Sequence, residues 1–429
     1  MSVSRDERIC IIGAGAAGLS AALYLREAGF RRVTVLERED EVGGKCRTFE
    51  RGEGRWELGA VLATTDYRET LDIMKRVGMA PWKRPWPLPP KDDSFVDRGL
   101  YPTRSVFPGW FELREFPIAV KDIARYHLLA GRWPGVFEPG HDEVPDELAD
   151  PFSSWVERYR MQELAKLYSI PFTAYGYGYY DEVPAAYVLK FFDPGITRSF
   201  LVQDKFFYWK EGAQEIWRRL ARELDVRTGI DIGRAVRGDR VEVAWTERGT
   251  LAAGREEYDR LILACPLDDA LAFLDGDEEE RALVAPIVYT DYRVRVVEAR
   301  GLRVPGGFAP GRFRREDAGR PLIWDESVRG AGISTFYTLA DGAMSDADIE
   351  RNIEADIRTM GGEPLGILAS VNWKYFPHVG TSDYRGGYYR RFEARQGARR
   401  TYLAGEIASF STVERTVGYS RELVRRFFE

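Results

Sequence analysis

The chain has 429 residues, which is too long for a single hydrophobic core and predicts two or three lobes. A hydrophobic fraction of 44% and a charged fraction of 30% are typical of a soluble globular protein, and the net charge of −6 argues against nucleic acid as a partner. The three cysteines and three histidines are scattered without zinc-binding spacing. We therefore expect no metal site, a reducing compartment and a cytoplasmic location.

The first element predicted along the chain is a buried strand that runs into a glycine-rich turn. Residues 9–12 are continuously apolar, and Gly13, Gly15 and Gly18 then form a GxGxxG pattern at the start of a helical segment. Residues 9–25 carry no charge and in that respect resemble a signal peptide, but the spaced glycines favour a nucleotide-binding turn. Gly13 permits the tight turn, Gly15 lets the backbone approach a pyrophosphate, and Gly18 lets helix and strand pack closely.

A second strand and an acidic residue complete this pattern. Residues 33–36 are a β-branched run that ends at Glu37, whose carboxylate is expected to accept hydrogen bonds from a ribose. The helix N-terminus, with Ala16 and Ala17 in its first turn, offers free N–H groups to phosphates. Arg38 is a candidate reader of a 2′-phosphate, although a solvated charge is the simpler interpretation. The order of strand, turn, helix, strand and acid predicts a dinucleotide-binding unit.

The residues that follow Glu37 distinguish FAD from NAD as the expected dinucleotide. The sequence GGKC at residues 43–46 adds a second glycine turn with a cation, Lys45, that would close over the same phosphates. This arrangement resembles the ExxxxxGG[RK] extension of glutathione-reductase-type flavoproteins, and within them the flavin amine oxidase and phytoene desaturase superfamily. The resemblance implies that the dinucleotide is FAD. Cys46 allows a covalent flavin link, but a small residue in a crowded loop is the simpler interpretation, so non-covalent FAD is expected.

Further segments resemble the same superfamily. WELGAVLATTDY at residues 56–67 resembles the turn that lies along the isoalloxazine ring, and the Gly-Glu pair before the helix from Val413 resembles the last FAD motif. The resemblance implies that Glu406 bonds the ribityl or phosphate end, and that Ile230 and Cys265 belong to the inner part of the FAD domain. The expected FAD-binding residues are Gly13, Gly15, Ala16, Ala17, Gly18, Glu37, Arg38, Gly44, Lys45, Cys46, Gly59, Ala60, Val61, Ile230, Cys265, Gly405, Glu406 and Val413.

The order of these motifs predicts an α/β (α+β) fold with a discontinuous FAD-binding domain of the Rossmann, glutathione-reductase type. The motifs lie at both ends and in the middle of the chain, so the segments between them are expected to form a substrate-binding domain on a mixed sheet and a helical cap. The expected segments are residues 1–67, 205–265 and 390–429 for the FAD-binding domain, residues 68–115, 171–204 and 266–389 for the substrate-binding domain, and residues 116–170 for the cap.

Periodicity supports this division. Residues 116–130 and 151–168 carry apolar side chains at helical spacing and predict cap helices. Residues 280–365 alternate β-like runs with a helix at 346–360, which predicts an antiparallel sheet with one helix. Residues 80–112 are rich in Pro and Trp and predict a loop.

The most unusual stretch lies between residues 168 and 193. Gly176 and Gly178 stand between aromatic residues there, which indicates a close approach of the backbone to another group. A buried turn in an aromatic core also accounts for the pattern, so both interpretations stay open.

The amino-acid sequence of this stretch resembles that of a particular group of flavoproteins. PFTAYGYGYYDEVPAAYVLK at residues 171–190 and WKYFPHV at residues 373–379 are similar to the bacterial polyenoic fatty acid isomerases. These FAD enzymes move a double bond in linoleate and related acids to give conjugated products. The resemblance covers most of the chain and is poor over residues 80–145 and 300–365.

This resemblance implies the substrate contacts. In the family a basic residue and a Phe hold the substrate carboxylate at the pocket mouth, and they correspond to Lys91 and Phe200. The family has Arg where this chain has Lys91, which loses the bidentate fork, so a different acid or an ester stays open as the substrate. The expected substrate-binding residues are Lys91, Phe200, Phe172, Tyr175, Trp209, Trp373 and Tyr375.

The implied reaction needs no general base. A bis-allylic C–H has no acidic neighbour, so its removal as hydride by flavin N5, followed by return two carbons away, conjugates the double bonds without net oxidation. The protein then has to position the substrate and exclude water. Beyond flavin N5 itself no catalytic group is identified, although Tyr175 and Tyr187 are candidate aromatic stabilisers of the substrate cation.

Two other functions share these motifs. An FAD-dependent amine oxidase or desaturase would pass electrons to O2 or a quinone, and Trp373 and Tyr375 would then flank an amine. A flavin-binding protein without turnover is the third possibility. The expected partner is a long-chain unsaturated fatty acid or similar lipid. Residues 116–130 are expected to pack as a cap helix, with at most transient contact to a membrane.

Overall fold

The computed structural model describes residues 4–83, 101–102, 116–141, 143–180, 182–201 and 205–429. In chain order the strands are β1 (Arg8–Ile12), β2 (Arg32–Leu36), β3 (Thr48–Arg51), β4 (Gly54–Glu57), β5 (Ala63–Thr64), β6 (Tyr101–Pro102), β7 (Phe206–Phe207), β8 (Asp225–Arg227), β9 (Ile230–Arg237), β10 (Val241–Glu247), β11 (Ala253–Tyr258), β12 (Arg260–Leu263), β13 (Val288–Arg300), β14 (Gly306–Phe308), β15 (Pro321–Asp325), β16 (Ile333–Ala340), β17 (Glu363–His378) and β18 (Thr401–Leu403). The α-helices are α1 (Ala16–Glu27), α2 (Arg68–Arg76), α3 (Phe116–Ala130), α4 (Phe152–Tyr159), α5 (Gln162–Ala174), α6 (Ala185–Phe191), α7 (Pro194–Leu201), α8 (Ala213–Ala221), α9 (Leu267–Leu271), α10 (Glu278–Val284), α11 (Asp346–Thr359), α12 (Thr381–Arg385), α13 (Tyr388–Ala394) and α14 (Val413–Phe427).

A five-stranded sheet contains the first and last predicted strands. Its order is β18-β12-β1-β2-β8, and all four neighbouring pairs are parallel. The apolar run of β1 is completely buried from Ile9 to Ile11, as expected for the central strand of a covered parallel sheet. This sheet confirms the predicted Rossmann-type α/β fold. The antiparallel strands β9, β10 and β11 form a separate small sheet that leads the chain back to β12.

A second large sheet lies in the later part of the chain. Its order is β17-β13-β16-β15-β14-β6, and each pair is antiparallel. The sheet is therefore antiparallel and not mixed. α11 packs on it through Ile349, Ile353 and Ile357, which share a core with Trp324 and Phe336. The expected helix at 346–360 is thus confirmed, and Ser345 and Asp348 form a capping box at its N-terminus.

Helices α3 to α7 surround an aromatic core. α3 spans the predicted segment, but residues 151–168 do not form one helix as expected. α4 ends at Tyr159, Arg160 adopts a left-handed conformation with φ of 51°, and α5 begins at Gln162. The left-handed residue ends α4 with a change of direction, which helical spacing in the sequence does not reveal. None of the described helices is both long and apolar enough to cross a bilayer. The assignment of segments to three domains stays a proposal.

Candidate active site

The glycine turn between β1 and α1 leaves the N-terminus of α1 uncovered. Gly13 has φ of 107°, and a Cβ there would lie 2.8 Å from the Ala264 carbonyl oxygen, so only glycine fits the turn. A Cβ on Gly18 would lie 1.9 Å from the Gly13 carbonyl oxygen, because α1 packs directly on the turn. No side chain caps the first turn of α1. Its N–H groups are therefore available to an anion.

A second glycine turn lies against the first. Gly15 and Gly43 pair as an isolated bridge, and the Gly43 N–H donates to the Ala14 carbonyl oxygen at 2.9 Å. A Cβ on Gly44 would lie 3.2 Å from the Gly15 Cα. The two turns thus form one crevice that is lined by backbone atoms. Residues larger than glycine would fill this crevice, whereas in their absence it fits a pyrophosphate.

Lys45 and Glu406 connect the first and last predicted FAD motifs. The Lys45 Nζ lies 2.5 Å from the Glu406 carboxylate, and both side chains are mostly buried. Lys45 also lies 5.4 Å from the centre of the Tyr375 ring. Burial strengthens the attraction between the two charges. The pair therefore holds the first and last motifs next to each other. A cofactor that contacts both motifs requires this arrangement.

Glu37 directly follows β2 and also lines this site. Its carboxylate accepts from the N–H of Ala14 at 2.6 Å and from the N–H of Glu39 at 2.9 Å. Burial raises the pKa of the Glu37 carboxyl. The remaining lone pairs of its two oxygens are suited to ribose hydroxyl donors. The neighbouring Arg38 is largely exposed and pairs with Glu39, in keeping with a solvated charge.

These groups line one cavity of 1020 Å³. Every expected FAD-binding residue except Gly18 lines it, and Gly18 lies beneath the turn where it permits close packing. Small-molecule sites typically enclose roughly 300–1,000 Å³, so this cavity has room for an extended dinucleotide together with a substrate. Within the described residues no group of His, Cys, Asp and Glu is arranged to hold a metal ion.

Three tyrosines form a wall of the cavity. Tyr177 and Tyr375 both donate their hydroxyls to the Ser411 carbonyl oxygen, at 3.2 and 3.4 Å. Their ring centres are 5.5 Å apart, and Tyr292 stacks on Tyr375 at 5.3 Å. Burial raises the pKa values of all three phenols, which therefore stay neutral. The wall offers aromatic surface and no charge.

An apolar arm of the cavity is formed by side chains from several elements. Its members are Val61, Leu62, Phe191, Ile196 and Phe206. The charged residues that line the cavity belong to the nucleotide-binding segments, with Asp269 of α9 and Lys374 of β17 as the exceptions, and no histidine in the described chain lines it. The arm is therefore suited to a hydrocarbon chain.

Three of the expected substrate residues line the cavity, namely Tyr175, Trp373 and Tyr375. The Trp373 indole N–H donates to the Leu58 carbonyl oxygen at 2.7 Å, which ties β17 to the turn at residues 59–61.

Three other expected aromatic residues lie away from the cavity wall. Phe172 and Trp209 are buried in the packed core. The Tyr187 hydroxyl bonds the Tyr389 hydroxyl at 2.8 Å and accepts from the Val379 N–H at 3.0 Å. This placement corrects their assignment to the pocket, because these side chains pack against other elements of the core.

The two expected carboxylate contacts fall at the margin of the described residues. Lys91 lies outside them, and of Phe200 the structure describes only the backbone, in α7. Phe200 follows Ile196 by one helical turn, so both positions lie on the same helix face. Ile196 lines the apolar arm.

Sequence reasoning missed Tyr177, Tyr292 and Ser411. Gly176, which has φ of 88°, is the feature of the sequence that could have indicated Tyr177 and Tyr292. A Cβ there would lie 2.7 Å from the Tyr292 ring, so the group that the backbone approaches closely is a tyrosine of the wall. The Ser411 hydroxyl is buried and has no hydrogen-bond partner among the residues that the structure describes. No local pattern distinguishes this serine from its neighbours.

Comparisons with known proteins agree with this geometry. A model of the family described as flavin containing amine oxidoreductase matches residues 16–421. The flavin-dependent L-tryptophan oxidase RebO of Lentzea aerocolonigenes is 36% identical over 130 residues, which are 29% of this chain and only 26% of that protein. The FAD-dependent oxidoreductase dpchF of Colletotrichum higginsianum is 24% identical over 434 residues, covering 94% of this chain and 89% of that protein.

Solved structures show the same relationship. The CLA-producing fatty acid isomerase from P. acnes is 31% identical and superimposes with a TM-score of 0.87 over 100% of both chains. Putrescine oxidase, at 16% identity and a TM-score of 0.68 over 98% of each chain, shares the fold. These similarities confirm the resemblance drawn from the sequence and establish FAD as the cofactor.

Proposed function

The chain belongs to the flavin-containing amine oxidoreductase family, and from this premise we propose that it is an FAD-dependent isomerase. Its substrate is a polyunsaturated fatty acid of the linoleate type, which it converts to a conjugated product. The observation that carries the proposal is the full-length similarity to the CLA-producing fatty acid isomerase. The sequence identity of this chain to that isomerase is about twice its identity to putrescine oxidase.

FAD is held without a covalent bond in this proposal. The glycine crevice and the first turn of α1 hold the pyrophosphate, Glu37 the ribose, and Lys45 with Glu406 the phosphate or ribityl end. Burial raises the pKa of the Cys46 thiol to about 12. A protonated, buried thiol is a poor nucleophile, which supports non-covalent binding.

The side chains around the substrate position it and keep water out. The chemistry that FAD supplies when bound is the uptake and return of a hydride at the pentadiene carbons. The apolar arm holds the alkyl chain, and the rings of Tyr375 and Tyr177 face a delocalised substrate cation. Each ring would contribute about 1–2 kcal/mol of cation–π stabilisation in this desolvated place. Lys91 and Phe200 are proposed to hold the carboxylate, as the family resemblance implies.

The test uses the FAD-loaded protein mixed with linoleic acid without oxygen. We expect conjugated-diene absorbance to grow over many turnovers while the flavin spectrum is oxidised at the end. Tyr375→Leu removes the ring and should lower kcat about tenfold, whereas the matched Tyr375→Phe keeps the ring and most of the rate.

An oxidase or dehydrogenase is the second candidate, because the family model is that of an amine oxidoreductase and the aromatic pair Tyr177–Tyr375 suits an amine. Flavin that bleaches with substrate and recovers only when air is admitted would favour this candidate and reject the isomerase. No spectral change and no diene would remove linoleate as the substrate and favour flavin binding without this turnover.

A further inference from the structure

Exposed apolar side chains are concentrated on one helix. Among the described residues six large hydrophobic side chains are exposed, and three of them lie on α3: Ile118 at 49%, Val120 at 43% and Leu128 at 82%. Isolated exposed hydrophobic residues are common on protein surfaces, whereas a cluster on one element indicates a contact surface.

The outer face of α3 combines these apolar residues with cations. Ile118, Lys121, Arg125 and Leu128 are spaced by three, four and three residues, so they lie along one face of the helix. The opposite face is buried and contains Ile123 and Tyr126. Asp122, the one acidic residue of the helix, is buried at the border of the two faces and pairs with Arg125 at 3.6 Å. The half-exposed Arg125 guanidinium also donates to the Tyr159 carbonyl oxygen at 2.8 Å, so Lys121 is the exposed charge of α3. The helix carries a net positive charge, although the whole chain is acidic.

α3 packs against α7 and the residues just before it, and α7 contributes to the apolar arm of the cavity. The Tyr126 hydroxyl donates to the Phe192 carbonyl oxygen at 2.6 Å, and a His127 ring nitrogen lies 3.2 Å from the Pro194 carbonyl oxygen at the start of α7. α7 in turn contributes Ile196 to the arm. The exposed cation Arg198 belongs to the same helix.

We propose that the exposed surface of α3, which comprises Ile118, Val120, Lys121 and Leu128, docks on an anionic lipid surface. The apolar side chains would enter the boundary between headgroups and acyl chains, and the cations would lie at the headgroups, which is the arrangement of interfacial amphipathic helices. The charge complementarity selects an anionic lipid surface over a neutral one. Docking on this face would bring the apolar arm close to the lipids from which a fatty acid is released.

The test measures flotation of the FAD-loaded protein with vesicles of phosphatidylcholine and phosphatidylglycerol. We expect co-flotation that falls when salt is added and when phosphatidylglycerol is left out. The double variant Ile118→Glu with Leu128→Glu should reduce the bound fraction by about tenfold. Leu251→Glu is the matched control, because Leu251 is 78% exposed and lies in the loop between β10 and β11, and it should bind as the unaltered protein does.

The flavin spectrum and the thermal midpoint of the double variant should equal those of the unaltered protein, since the substituted residues are exposed. Absence of co-flotation by the unaltered protein, or equal binding by the double variant, would overturn the proposal. A dimer of the unaltered protein that the double variant loses, without vesicle binding, would identify the face as a contact between two copies. Because flotation requires no turnover, its outcome is independent of the isomerase assay.

Discussion

Gly18 and Gly418 are both glycines inside helices, yet their surroundings differ completely. A Cβ on Gly18 would lie 1.9 Å from a backbone oxygen of the nucleotide turn, whereas a Cβ on Gly418 would have no atom of another described element within 4 Å. The sequence alone identifies the role of Gly18, because it belongs to a spaced motif. It contains no sign that Gly418 is dispensable.

We expect Gly18→Ala and Gly418→Ala to change stability in opposite directions. Gly18→Ala forces α1 away from β1 and should lower the free energy of unfolding by about 3 kcal/mol, with loss of FAD. Gly418→Ala should raise it by up to about 1 kcal/mol, since alanine favours the helix. Urea denaturation of both variants checks this. Equal destabilisation by the two substitutions would contradict the packing argument.

Glu57 gives the protein a specific pH dependence. Its carboxylate accepts from the Ala213 N–H at 2.9 Å and from the Thr48 hydroxyl at 2.8 Å, and burial raises its pKa from 4.5 to about 8. The folded state therefore binds this proton more tightly than the unfolded chain does. The favourable contribution of Glu57 to folding is complete below pH 4.5 and is lost as the pH rises towards 8.

Glu57→Gln should remove this dependence. The neutral amide keeps a hydrogen bond at each end, so the variant should gain stability relative to the unaltered protein between pH 5 and pH 8, by roughly 1 kcal/mol or more. Chemical denaturation over that pH range measures the gain. Glu53→Gln, at the exposed turn of the same hairpin, is the control. A constant difference between Glu57→Gln and the unaltered protein would disprove the assignment.

At the scale of elements, a buried lysine connects α6 to the segment at residues 136–140. The Lys190 Nζ of α6 donates to the carbonyl oxygens of Val136, Glu138 and Gly140, at 3.1, 2.5 and 2.5 Å. Lys190 is completely buried. Its ammonium thus replaces the water that these carbonyl groups would otherwise bind.

Lys190→Met should loosen the segment at residues 134–141 more than the rest of the molecule. The substitution keeps the aliphatic stem and leaves three carbonyl oxygens without their donor, at a cost of about 3 kcal/mol. Faster hydrogen exchange and proteolysis in this segment, with the parallel sheet unchanged, would show the effect. Lys210→Met removes an exposed lysine and should change neither.

The end of β17 shows why periodicity alone did not identify the tyrosine wall. Phe376 has φ of 44°, a conformation that bulky residues rarely adopt, and the register with β13 shifts between Val288 and Thr290. This bulge places Phe376 against Phe172 of α5 and Tyr187 of α6, while Tyr375 remains on the cavity wall. A local irregularity of this kind depends on the packing of distant segments.

At the scale of the whole molecule, the cavity lies where the two large sheets approach each other. Lys45 and Glu406 connect one side, and Lys374 of β17 lies 2.7 Å from both Asp268 and Asp269 at α9. The expected FAD-binding residues come from segments far apart in the chain, so FAD would bind the folded state and not the unfolded chain.

Removal of FAD should therefore lower the thermal stability of the whole protein. With free FAD at about 100 times its dissociation constant, binding contributes about 2.7 kcal/mol. We expect the unfolding midpoint of the apoprotein to rise with added FAD, and the rise to be smaller in Lys45→Met. Calorimetry at several FAD concentrations measures this. An unchanged midpoint would mean that the fold does not depend on its cofactor.

The sequence by itself determined the parts of the site that are built from local structure. The strand, glycine turn and helix at residues 8–27, Glu37, and the last helix from Val413 were all predicted with their roles in holding a dinucleotide. These features depend on short-range rules, namely the φ that glycine allows, helix periodicity and the free N–H groups of a helix N-terminus. A short stretch of chain is sufficient to express them.

Only the tertiary structure decided which aromatic residues face the cavity. Tyr177 and Tyr292 line it, while Phe172, Tyr187 and Trp209 do not, although all five are large, aromatic and buried. An aromatic side chain is buried to a similar extent whether it faces the cavity or the core behind the cavity wall. The sequence pattern therefore predicts that the side chain is buried but not which way it faces. The side depends on how segments more than a hundred residues apart pack against one another, which is a property of the whole fold.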